Sequence, residues 1–135
     1  MRQGIEVLRV ESPRAGENAT APLRWQAVAF LPLSSLAAGV SDEHVSGMAY
    51  DGAADALYLL FGRAQPRPLL RALSLRTGAP LGDWALPRQA GPPSWSGLAL
   101  SPDGGALFAS HAAPAGLWRF ARGKDGMLSC GAPAA

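Results

Sequence analysis

The chain has 135 residues, 48% of them apolar and 16% charged, which supports one packed domain and excludes a disordered, highly charged chain. Its net charge of +2 arises from twelve basic residues scattered without a run, whereas a nucleic-acid surface concentrates such residues on one stripe. Sixteen Gly and twelve Pro suit many short strands joined by tight turns better than they suit helices.

Cys130 is the single cysteine, so no internal disulfide can form. Residues 1–18 lack the charged-then-apolar layout of a secretory leader. The longest apolar stretch, residues 27–40, is interrupted by Pro32 and by Ser34 and Ser35, and is too short to span a bilayer. No membrane partner, no nucleic-acid partner and no compartment are indicated. Asn18-Ala19-Thr20 matches a glycosylation sequon, which matters only in a secreted chain.

In chain order, Leu8-Arg9-Val10 reads as an alternating strand. The turn-rich Ser12-Pro13-Arg14-Ala15-Gly16 follows, and then Ala21-Pro22-Leu23-Arg24-Trp25. A helical turn is expected near Ser34–Gly39 and nowhere else, since no segment sustains apolar residues at i, i+3 and i+4. Four strands are then expected at 46–51, 56–62, 69–76 and 80–86. The second of them, Leu57-Tyr58-Leu59-Leu60-Phe61, is apolar at every position, as in a strand covered on both faces.

The unit then repeats. Ser46-Gly47-Met48-Ala49-Tyr50 returns as Ser96-Gly97-Leu98-Ala99-Leu100, an offset of 50. The match continues without a gap to Ala56-Leu57-Tyr58 against Ala106-Leu107-Phe108. Between the two parts lie Asp51-Gly52 and Ser101-Pro102-Asp103-Gly104-Gly105, both hairpin-turn chemistry. Leu73-Ser74-Leu75 answers Trp118-Arg119-Phe120, and Ala79-Pro80-Leu81-Gly82-Asp83-Trp84 answers Ala21–Trp25.

Four-stranded units of about 40 to 50 residues mark propeller blades. The chain is therefore expected to be all-β, a partial β-propeller of about two to three four-stranded antiparallel blades. Residues 1–36 form the outer half of one blade, 44–93 a complete blade and 94–135 most of the next, in one structural unit overall. A sandwich or small barrel gives similar turn spacing, and the gapless repeat favours the propeller. Rings close with about four to eight blades. The expected product is thus a fragment, a truncated gene product or a piece that must associate, and open blade edges invite self-association.

Residues 96–108 resemble the Ser-Pro-Asp-Gly unit of YVTN-type and lactonase-like propellers. Ser46–Asp51 is similar to the blade opening of phytase-like, esterase-like propellers, and Leu117-Trp118-Arg119-Phe120 fits the strand that follows in either group. The resemblance spans about 44–123 and implies the blade, not a chemistry. Lactonase-type propellers hold calcium through acidic and Asn ligands near the central channel. No such set can be matched here, and Ser46 and Ser96 stand where some relatives have Glu. Calcium enters through the resemblance alone, and no metal ligand is assigned.

Candidate chemistry is sparse. Glu43 and His44 precede an inner strand, at the channel mouth of a blade, where a carboxylate and an imidazole can serve as base or ligand. Beside Ser41 and Asp42 they also read as a solvated loop. His111 follows the second strand of the later blade next to Ser110, although adjacency in sequence does not make a nucleophile and its base. Asp51 and Asp103 suit their turns. Trp25, Trp84, Trp95 and Trp118 suit blade packing, each needing an acceptor for its indole N–H. No phosphate-cradling loop, zinc spacing or nucleophile elbow is present, so no cofactor-binding residue is assigned.

The expected function is a binding or scaffold segment without catalysis of its own, meeting a protein or small-molecule ligand at the propeller rim. The alternative is the remnant of a calcium-dependent propeller hydrolase acting on lactones, phosphoesters or esters.

Overall fold

A computed structural model describes residues 3–11, 16, 22, 24–87, 95–112, 115–129 and 132–133. The sequon at 18–20, Cys130 and most of the turn at 12–16 lie outside the described residues. The elements are β1 (Gly4–Glu11), β2 (Arg24–Pro32), α1 (Leu33–Leu36), β3 (Gly47–Asp51), β4 (Ala56–Phe61) and β5 (Leu69–Leu73). They continue with β6 (Pro80–Ala85), β7 (Trp95–Leu100), β8 (Ala106–Ala112), β9 (Ala115–Ala121) and β10 (Ala132–Pro133). Among the described residues the chain is all-β but for one helical turn, and no helix there is long and apolar enough to cross a membrane. It divides into two compact units, residues 1–38 and 39–135, where the sequence reading takes it as one.

The first unit is an antiparallel hairpin of β1 and β2. Val10 stands opposite Trp25 and Glu11 opposite Arg24, whose Nε donates to Glu11 Oε2 at 3.2 Å. Val28 is the extra residue of a bulge, since Val7 pairs with Ala29 and Leu8 with Ala27. The helical turn falls where it was expected, anchored by the Leu33 N–H donating to the Gln3 carbonyl at 2.9 Å. Trp25 departs from the packing role expected of it. It is 59% exposed on the same face of the ribbon as Leu8 and Val10, because a two-stranded ribbon has no second layer of its own.

The second unit holds two four-stranded antiparallel meanders, β3-β4-β5-β6 and β7-β8-β9-β10, an all-β, partial propeller-like fold. The 50-residue offset carries into the pairing: Ala49 faces Tyr58 as Ala99 faces Phe108, and Met48 faces Leu59 as Leu98 faces Ala109. The all-apolar β4 is buried at each of its six positions. Its Tyr58 and Leu60, with Leu70 and Ala72 of β5, pack in one core with Trp95, Leu107, Ala109 and Phe120 of the second meander.

The repeated Ser-Gly has a packing reason. β7 lies against both β3 and β4, and a Cβ on Gly47 would fall 3.1 Å from Leu98 N and 3.2 Å from Gly97 Cα. A Cβ on Gly62, just past β4, would collide with the Trp95 carbonyl oxygen. Glycine at both positions lets one meander approach the other backbone to backbone.

The third-strand equivalence is corrected by the pairing. Leu73 stands opposite Leu57 and Phe120 opposite Leu107, so Leu73 corresponds to Phe120 rather than to Trp118. β5 also ends at Leu73, short of the expected residue 76. The cause is Asp55, which receives the N–H groups of Leu75 and Arg76 at 3.1 and 3.2 Å and turns the chain away from the sheet.

Candidate functional site

In an up-and-down meander alternate turns share one end. The 51–55 and 74–79 turns of the first meander therefore lie together, as do the 101–105 turn and the 122–129 segment of the second. At this end Arg122, the first residue after β9, has a side chain only 2% exposed. Its Nε donates to the Tyr58 hydroxyl at 2.8 Å, Nη1 to the Gly104 carbonyl at 2.5 Å and Nη2 to Asp51 Oδ2 at 2.5 Å. The Tyr58 hydroxyl in turn donates to the Gly126 carbonyl, and the guanidinium carbon lies 5.5 Å from the centre of the Tyr58 ring. Burial pushes the Tyr58 phenol above its ordinary range against the opposing effect of Arg122.

A cavity of about 250 Å³ opens here, lined among others by Asp51, Ala54, Asp103, Gly104, Arg122 and Lys124. Its carboxylates are engaged within the chain. Asp51 Oδ1 receives the Ala53 N–H at 2.9 Å while Oδ2 holds Arg122, and the Arg122 hydrogen bond above all keeps this carboxyl below its usual range. Asp103 Oδ1 receives the Ser101 hydroxyl at 2.7 Å and the Gly105 N–H at 2.9 Å, which lower it likewise, the hydroxyl most. The Ser101 hydroxyl oxygen also receives the Ala106 N–H at 2.9 Å, so the polar side chains of the Ser-Pro-Asp-Gly segment are spent on their own turn while its Gly104 carbonyl accepts from Arg122. The chemistry of this end is that of a clamp joining turns from both meanders.

Asp55 is a second anchor. It sits at φ 48°, a conformation Asp tolerates better than most residues. Its carboxylate accepts from the Ser74 hydroxyl, from the Tyr50 hydroxyl at 3.3 Å and from the two backbone N–H groups beyond β5. The Ser74 hydrogen bond is the largest cause of its lowered carboxyl pKa.

The residues singled out from sequence lie elsewhere. Glu43 and His44 are exposed in the loop before β3, at the opposite end of that strand from Asp51. The His44 N–H donates to Asp42 Oδ1 at 3.0 Å, and Asp42 pairs with Arg63 at 3.4 Å. His111 lies inside β8 rather than after it, opposite Trp95 and Gly116. Its ring meets Trp95 edge-on, with centroids 4.8 Å apart, and its Nδ1 is buried without a hydrogen-bond partner among the described residues. Ser110 and His111 are consecutive in one strand and point to opposite faces, so they do not form a nucleophile and base. The Trp95 indole N–H donates to the Pro87 carbonyl at 3.3 Å. Among the described residues, no three His, Cys, Asp or Glu side chains gather in a way that could hold a metal ion.

Sequence reasoning missed Arg122, Tyr58 and Asp55. Arg122 stood among basic residues scattered without a run, and its link to Asp51 spans 71 residues. Comparison with protein-family models, curated proteins and solved structures finds no match for the chain.

Proposed function

We propose that the chain contributes two to three blades to a β-propeller of the YVTN-type or lactonase-like kind and acts there as a binding or scaffold segment without catalysis of its own. The observation that carries this reading is the agreement between the 50-residue sequence repeat and the strand pairing of two stacked four-stranded meanders. The state of the cavity at the turn end supports the non-catalytic part. Asp51 and Arg122 are held by each other and by backbone groups, and Asp103 by the Ser101 hydroxyl and the Gly105 N–H, which fixes the turns. The ligand, a protein or a small molecule, meets the rim formed by these turns.

The test is a thermal melt with and without millimolar calcium, run beside assays on a lactone, a carboxylic ester and a phosphomonoester. The expected result is an unchanged melting temperature and no turnover, because a ligand that binds only the native state must stabilise it. Calcium-dependent turnover lost on Asp51→Asn or Asp103→Asn would replace this reading with a propeller hydrolase.

A further inference from the structure

The contact between the two meanders has two sides, and each side recurs in the same chain on a surface that is uncovered only in part. On one side Gly47, Ala49, Tyr58 and Leu60 of the first meander form a face. On the other, Leu98 and Leu100 of β7, with Leu107 and Ala109 of β8, pack against that face. Moved by the 50-residue offset, the first set becomes Gly97, Ala99, Phe108 and Ser110, on the outer face of the second meander, where Ala99 is exposed and Phe108 half-buried. Moved the other way, Leu98 and Leu100 become Met48 and Tyr50, which are 52% and 46% exposed although Leu57 and Leu59 beside them are buried. Met48, Tyr50, Ala99 and Phe108 keep the apolar character of the positions they mirror, whereas Ser110 places a hydroxyl where Leu60 stands in the first meander.

We infer that a second copy of the chain occupies the outer face of the second meander, laying the Met48–Tyr50 side of its β3 against Gly97, Ala99 and Phe108. This rests on the reading of the meanders as propeller blades. The occupant is argued from continuity with the interface inside the chain: one molecule carries both halves of the same contact, so a second molecule supplies the missing half to the first. The contact is heterologous, and it propagates into a ring or an open array rather than stopping at two copies. It is weaker than the contact within the chain. Phe108 has no hydroxyl to take the place of Tyr58 in the Arg122 clamp, and only the inner-strand part of the partner surface is uncovered. Association is therefore reversible and depends on concentration.

The test is size-exclusion chromatography with light scattering on the full chain, from low micromolar to several hundred micromolar. The wild type should exceed the single-chain mass of 14.0 kDa and continue past a dimer as concentration rises. Met48→Asp alone and Ala99→Lys alone should each remain at one chain, with the circular dichroism of the wild type, because both side chains are exposed in the monomer. Mixed together they should form a complex of one copy of each and nothing larger, since each variant keeps one intact half. The inference is overturned by a folded wild-type monomer at every concentration, by variants that associate as the wild type does, or by a mixture that stays monomeric. Gly62→Val separates this from the blade reading. It intrudes on the contact within one chain and should cost strand signal, and a Gly62→Val chain as stable as the wild type would sink the blade reading itself.

Discussion

The guanidinium of Arg122 joins groups that are 18, 64 and 71 residues away in sequence. A planar fork with several fixed donors suits such a junction, whereas an ammonium on a flexible stem cannot reach all three acceptors at once. Arg122→Ala removes an ion pair and leaves the Gly104 carbonyl without this donor. It should lower the free energy of unfolding by about 2–3 kcal/mol, with Arg122→Lys recovering only part, as read from urea unfolding. The carboxyls of Asp51, Asp55 and Asp103 all lie below their ordinary range in the folded chain. In the acidic window the folded state then binds fewer protons than the unfolded one. Their contribution is fully present above the ordinary carboxyl range and is lost as pH falls through the folded values. The melting temperature should therefore drop steeply below about pH 4, and Asp51→Asn should flatten part of that drop. His111 offers the opposite kind of change. Its buried Nδ1 lacks a partner among the described residues, and the residue one repeat earlier is the fully buried Phe61. His111→Phe should raise stability by about 1 kcal/mol in the same urea assay, since replacing this buried polar nitrogen with a ring of similar shape removes its desolvation cost.

At the scale of elements, what sequence could reveal depended on how local the cause was. The hairpin turns and the all-apolar β4 were legible because turn chemistry and burial on both faces leave their mark within a few residues. The end of β5 was not, because it is set by Asp55, which acts across 20 residues on the Leu75 N–H. In sequence Ser74-Leu75 continues the alternation of a strand, and the carboxylate brought over from the β3–β4 turn stops it together with the local turn in which the Gly78 N–H donates to the Ser74 carbonyl at 2.8 Å. Asp55→Ala should lower the melting temperature by several degrees and speed hydrogen exchange at the Leu75 and Arg76 amides. Asp55→Asn, which keeps an acceptor and tolerates the same φ, should do much less of both. An equal loss in the two variants would mean that the carboxylate charge, rather than the backbone capture, holds this turn.

Across the molecule, the all-β meanders and their repeat were readable because the pairing of the first two strands of each meander follows the sequence offset residue for residue. The clamp was not readable, because one arginine among twelve basic residues carries no local mark of being buried. Glu43, His44 and His111 drew attention by residue type alone, yet two are exposed in a loop and the third is packed on Trp95. The same long-range contacts decide how residues 39–135 unfold. Tyr58 and Leu60 share one core with Leu107 and Phe120, and Arg122 bonds both meanders at the turn end, so neither meander can open without exposing the other's apolar face. Leu107→Ala should cost about 2–5 kcal/mol, since it empties a fully buried site in that shared core. The loss should reach the first meander as well as the second. Hydrogen exchange followed by mass spectrometry should show protection falling by the same factor in β4 and in β8. Protection lost in β8 alone would mean that the two meanders fold independently and that the clamp adds little to what each holds by itself.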